Sequence, residues 1–171
     1  MAKKKAQVKS RPAVIVYTDG SYRGNTGRGG WAAILQTHND DLIISGTVDG
    51  TTNNQMEMYA LYRALCHITE PADVTIYSDS QYVLNGLFSW RRTWHRRKWV
   101  NSAGKPVSNK DLWLRIYKEA DRMHSMKGIW VRGHTGQTPL NTLVDELAQY
   151  RSLPDECQPD RITSPPATFP L

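Results

Sequence analysis

At 171 residues the chain has the length of one domain and can bury a sizeable core. No apolar run approaches the ~20 residues that span a bilayer, and Lys3-Lys4-Lys5 is not followed by the apolar segment of a secretory signal, so the expectation is a cytoplasmic protein with no membrane partner. The formal net charge of +6 is concentrated: Lys3, Lys4, Lys5, Lys9 and Arg11 stand without an acid in residues 1–11, and Arg91, Arg92, Arg96, Arg97 and Lys98 stand without one in residues 91–98, a distribution suited to a polyanion.

In chain order, residues 1–12 read as a flexible basic arm ending at Pro12. Ala13–Tyr17, Gly30–Leu35 and Leu42–Val48 are strand candidates, and the Gly-rich 24–30 and polar 38–41 segments turn the chain between them, so three antiparallel strands are expected. Residues 51–54 read as a loop and helix cap, followed by a helix over Gln55–Thr69 that Pro71 ends. Asp73–Ser78 is a fourth strand and Ser80–Phe88 a short helix. Residues 90–99 carry cationic and aromatic side chains at helical spacing, and Asn101–Ser108 is a loop. Asp111–Met123 is helical, Gly128–Arg132 a fifth strand and Leu140–Arg151 a final helix. The tail over 152–171 has five prolines and little apolar periodicity, and is expected to be poorly ordered. Cys66 and Cys157 are expected to be free thiols in a reducing compartment. The order predicts an α/β domain over 13–151, with a five-stranded mixed sheet of three antiparallel strands then two parallel ones, flanked by helices.

Four acids stand out. Alternation puts Ile15, Tyr17 and Asp19 on one face of the first strand, with Asp19 as its last residue before Gly20. Thr75, Tyr77 and Asp79 share a face in the fourth strand. If these strands are parallel neighbours, both carboxylates emerge at one sheet edge, where open α/β sheets bind ligands. Glu57 falls on the apolar helical stripe of Leu61, Ala64, Leu65 and Ile68, where an unpaired carboxylate costs several kcal/mol unless a proton or cation joins it. Asp145 lies beside Val144 and one turn before Ala148. Each acid alone has a plainer explanation: Asp19 as a turn residue, Asp79 as an N-cap, Glu57 as a first-turn acid and Asp145 as a solvent-facing one. That explanation predicts no convergence. An all-carboxylate cluster favours Mg²⁺ or Mn²⁺ over zinc.

The segments Tyr17–Ser21 (YTDGS), Thr51–Met58 (TTNNQMEM), Tyr77–Tyr82 (YSDSQY), Trp130–Thr135 (WVRGHT) and Asp145–Ala148 (DELA) resemble, in order, type 1 ribonucleases H. Trp90–Trp99, with Lys105-Pro106-Val107 and Asp111-Leu112-Trp113, is similar to that family's basic protrusion, here about 90–105. The resemblance implies a ribonuclease H-like fold and hydrolysis of the RNA strand of RNA–DNA hybrids, by a two-metal-ion mechanism that leaves 5′-phosphate and 3′-hydroxyl ends. It implies Asp19, Glu57, Asp79 and Asp145 as catalytic metal ligands for two Mg²⁺ (Mn²⁺ as the alternative), and His134 as a mobile-loop residue assisting proton transfer or product departure. It also implies a monomer that contacts the hybrid through Gly20, Ser21, Tyr22, Asn25, Thr52, Asn53, Asn54, Gln81 and Asn141. Trp90, Trp94, Arg96, Arg97, Lys98 and Trp99 of the protrusion would join them, with the cations on the DNA backbone and Trp90 and Trp94 partly packed.

Four departures from the family pattern stand beside this resemblance. Tyr22 occupies a position expected to be small, Gln55 one expected to be basic, and the His134-to-Asp145 segment is one residue longer. In place of an N-terminal hybrid-binding domain stands the Lys-rich arm, either a weak substitute or a solubility tail. Other readings are a resolvase, integrase or exonuclease of the same fold, a silent hybrid-binding module, and a reverse-transcriptase fragment. The protrusion and the TTNNQME segment argue against the first, the four intact acids against the second, and the termini against the third.

Overall fold

The computed structural model describes residues 11–133 and 139–153. Three antiparallel strands, β1 (Ala13–Arg23), β2 (Arg28–Gln36) and β3 (Asp41–Asp49), lead into helix α1 (Asn53–His67) and strand β4 (Asp73–Ser78). The short helix α2 (Gln81–Asn85), a π-helical turn over Gly86–Trp90, α3 (Arg91–Arg96) and α4 (Lys110–Ala120) follow, then strand β5 (Ser125–Trp130) and helix α5 (Pro139–Arg151). The sheet order is β3-β2-β1-β4-β5, with β1, β4 and β5 parallel, as the element order predicts. Among the described residues no helix is long and apolar enough to cross a membrane.

The two central strands are buried on both faces, so their side chains divide between two cores. Val14 and Val16 of β1, with Trp31, Ala33 and Leu35 of β2, pack under Met56, Met58, Leu61 and Leu65 of α1 and Trp113 and Ile116 of α4. On the other face, Tyr17, Ala32 and Ile34 meet Val144 and Ala148 of α5. Each large apolar side chain buried this way contributes roughly 1.5–3 kcal/mol. A Cβ at Gly30 would overlap the Ala148 carbonyl, so glycine sets how closely α5 lies on the sheet.

Four expectations need correction. β1 does not end at Asp19: it runs on to Arg23, paired with β2, because Gly20 is a close-approach position and not a turn. α1 starts two residues early, with Asn53 and Asn54 inside its first turn, since Thr52 and Gln55 form a capping box. The helix expected over Ser80–Phe88 is α2 plus the π-helical turn. There a Cβ on Gly86 would overlap the Trp113 ring, and the Gly86 carbonyl accepts a 2.7 Å bond from the Tyr117 hydroxyl. β5 begins at Ser125, three residues earlier than expected, because it is an exposed edge strand whose polar residues carry little apolar pattern.

Candidate active site

Pairing between β1 and β4 stops at Tyr17↔Tyr77. Beyond it β1 continues against β2, with Asp19 opposite Ala32, whereas β4 ends at Ser78. The two strands therefore open a crevice flanked by Asp19 on one side and Asp79, the next residue after β4, on the other. The Trp130 indole donates to the Asp79 carbonyl at 3.0 Å, tying that corner to the end of β5. A Cβ at Gly133 would overlap the Asp79 carboxylate, so the glycine leaves that side chain room to keep this position.

Glu57 enters from the α1 side. A side chain at Gly20 would overlap the Glu57 amide and the Met56 carbonyl carbon, so only glycine lets the first turns of α1 lie this close to β1. The result brings one oxygen each from Asp19, Glu57 and Asp79 within 4.8 Å of one another. Asp19 and Glu57 are only 6% and 5% exposed. Asp145 approaches from the opposite face on α5, close enough for its carboxylate to raise the Asp19 carboxyl's pKa. It accepts a 2.8 Å bond from the Gln149 amide. All four acids line one cleft of about 370 Å³, with Gly20, Ser21, Tyr22, Arg23, Asn53 and Gln149.

The electrostatics show what such convergence costs. Burial, then the charges of Asp79 and Asp145, push the Asp19 carboxyl up to about 8. Burial and the charges of Asp19 and Asp79 hold Glu57 well above the usual carboxylate range, although the nearby Gly20 amide opposes the rise. Glu57 Oε2 is buried with no hydrogen-bond partner among the described residues. Removing that penalty takes either a proton or a positive charge. A hard divalent cation fits both the all-oxygen donor set and the unpartnered Glu57 oxygen.

The remaining expected site residues divide. Gly20, Ser21, Tyr22 and Asn53 line the cleft; Asn25, Thr52, Asn54, Gln81 and Asn141 do not. The Thr52 hydroxyl is occupied as the α1 cap, accepting from the Gln55 amide at 3.3 Å, and Asn141 is buried. His134 lies outside the described residues. In the protrusion Arg96, Arg97 and Lys98 are exposed, and among the described residues they have no acidic partner. Trp94 and Trp99 are half-buried and pack against the edge of the core. Trp94 meets Trp90, Trp99 and the fully buried Trp113 at centroid distances of 5.4, 5.8 and 5.5 Å. Trp90, 36% exposed, is the most open of the protrusion's three tryptophans. Gln149, Trp130, Gly133 and Arg23 escaped the sequence reading, because nothing local in the chain shows that they reach the acids.

The RNase H family model matches residues 11–152. A "Ribonuclease H" of Novosphingobium aromaticivorans is 41% identical over 140 residues, covering 82% of this chain and 96% of that protein. One from Oleidesulfovibrio alaskensis is 44% identical over 148 residues, covering 86% and 95%. Among solved structures, LC9-RNase H1, described as a type 1 RNase H with the type 2 active-site motif, superposes with a TM-score of 0.71 at 26% identity, covering 85% of this chain and 74% of that one. The N-terminal RNase H domain of rv2228c from Mycobacterium tuberculosis shares the fold, with a TM-score of 0.63 at 22% identity over 82% of this chain and 94% of that one. With a family model matched across the whole sheet and its helices, and relatives above 40% identity over most of both chains, the chain belongs to the RNase H family and is an endoribonuclease.

Proposed function

We propose that the domain over residues 13–151 hydrolyses the RNA strand of RNA–DNA hybrids, leaving 5′-phosphate and 3′-hydroxyl ends, as a cytoplasmic monomer with no membrane partner. The observation that carries this reading is the cluster of Asp19, Glu57 and Asp79 with its unpartnered buried Glu57 oxygen. Asp19, Glu57, Asp79 and Asp145 would hold the metal, Mg²⁺ or Mn²⁺. Two such ions, bound with substrate, would acidify the attacking water and stabilise charge on the transferring phosphate and the leaving oxygen. In the hydrolysis a water oxygen bonds to phosphorus, the P–O3′ bond breaks, and the 3′ oxygen leaves with a proton.

The chain's own contribution is positioning and charge. The crevice at the ends of β1 and β4 holds the acids on rigid strands and helices, which keeps their oxygens in place with little reorganisation. His134, at a reference pKa of about 6.5, would assist proton transfer near neutral pH. Ser21, Tyr22 and Asn53 line the cleft beside the acids, where contacts to 2′-hydroxyls would select the RNA strand. Arg96, Arg97 and Lys98 would pair with phosphates of the DNA strand, with Trp90 as a flanking apolar surface.

The test is a labelled RNA–DNA hybrid incubated with the protein and Mg²⁺ beside RNA–RNA and DNA–DNA duplexes of the same sequence. Cleavage confined to the RNA strand of the hybrid is expected, and EDTA should stop it. Equal cutting of all three duplexes would overturn the proposal.

A further inference from the structure

Beyond the acids, one cation stands in the cleft. Asp19, Ser21 and Arg23 alternate along β1 and so share the face covered by α5. Asp145 and Gln149 of α5 and Ser152, the residue just past it, stand at i, i+4 and i+7 facing them. Asp145 meets Asp19 in the cleft at one end of this pair of rows. At the other, the Ser152 hydroxyl accepts a 2.9 Å bond from Arg23 Nε and a 3.4 Å bond from the Ser21 hydroxyl, while donating at 2.6 Å to the Gln149 carbonyl. Ser152 is fully buried.

That arrangement holds the Arg23 guanidinium by its Nε alone. The two Nη groups have no hydrogen-bond partner, and Arg23 makes no ion pair, among the described residues. Yet Arg23 lines the same cleft as Asp19, Glu57, Asp79 and Asp145. A guanidinium free to move beside four carboxylates would be drawn onto one of them; the bond to Ser152 ties its base to α5 instead. The four residue steps from Asp19 to Arg23 span about 13 Å. A ligand for the free Nη edge must therefore be an anion that lies beside the acids without being the group they hold. The next phosphate along a polynucleotide meets that description, and the guanidinium fork suits phosphate oxygens.

We propose that Arg23 binds a backbone phosphate adjacent to the one at the carboxylates, on the strand being cut, and that Ser152 is the residue that positions it. This rests on the hybrid-cleavage reading above. Arg23→Ala weakens hybrid binding about tenfold and lowers the slope of log Kd against log salt by about one. Arg23→Lys keeps the slope and loses part of the affinity, and Ser152→Ala keeps the slope with a smaller loss of affinity, since the charge stays but its anchor does not.

The measurement is fluorescence anisotropy of an uncleaved hybrid, in EDTA, over a series of KCl concentrations, for the full-length protein and the three variants. Unchanged affinity and slope in Arg23→Ala would overturn the proposal, as would a slope change in Ser152→Ala equal to that in Arg23→Ala. If Arg23→Ala does not fold, Arg23→Gln, which also removes the charge, takes its place under the same criteria. Wild-type protein that binds the hybrid but leaves it intact with Mg²⁺ would count against the cleavage reading and not against Arg23.

Discussion

The acidic cleft and the basic protrusion are two concentrations of charge among the described residues, and they are built in opposite ways. The cleft gathers residues 19, 57, 79 and 145 from four separate elements and buries two of them almost completely, so its charges repel one another in a poorly solvated site. The protrusion draws Arg96, Arg97 and Lys98 from one contiguous segment and leaves them in water, on an apolar base of Trp94, Trp99 and Trp113. The base is apolar and the charges are solvated, so folding the protrusion costs little electrostatically; folding the cleft costs a great deal. That contrast separates their roles. A site that is electrostatically expensive when empty is one whose ligand acts locally and strongly. A solvated patch contributes long-range, salt-screened attraction.

The sharpest way to break this comparison is Asp79→Asn. It is expected to lower kcat on the order of a thousandfold or more while hybrid binding stays measurable. Because it also removes one of the repelling charges, the metal-free protein should melt higher, by about 2–4 °C for each kcal/mol recovered. Calorimetry beside single-turnover kinetics checks both halves; a lower melting temperature would mean that Asp79 is chiefly structural.

Next in size is the protrusion. Replacing Arg96, Arg97 and Lys98 together with Ala should raise KM about tenfold at low salt and flatten its salt dependence, with kcat changed far less. A kcat loss larger than the KM rise would place these cations in the chemistry and erase the distinction drawn here.

The smallest expected effect is a pH dependence of the metal-free fold. Asp19 titrates near 8 in the folded chain against an ordinary 3.8, so the folded state holds a proton that the unfolded state releases. Its contribution to stability is complete below about pH 4 and is lost as pH rises toward 8, and Glu57 acts in the same direction. In EDTA the melting temperature should fall from pH 5 to pH 8, and Mg²⁺ should restore more at pH 8 than at pH 5. A flat profile would show that the cleft relieves its charge by rearranging.

Much of this was legible in the chain. The alternation in Asp73–Ser78 located β4 residue for residue, and the carboxylate at Glu57 on an apolar helical stripe pointed to a cation before any fold was known. Gly20 misled, since a glycine after an acid reads as a turn, whereas here it admits α1 against the sheet. Trp94 is partly packed as expected, but that its packing partner is Trp113, far along the chain, was not legible in the 90–99 segment.

By itself, then, the sequence determined the order and type of the elements and which residues carry charge, because periodicity and composition are local properties. Tertiary structure alone decided the rest: that β1 outruns β4 to open a crevice, that α5 lays Asp145 and Ser152 across Asp19 and Arg23, and that β5 lies at an edge. These depend on how closely helices approach strands, which Gly20 and Gly30 set through contacts with residues far away in the chain. No local pattern encodes a distance of that kind.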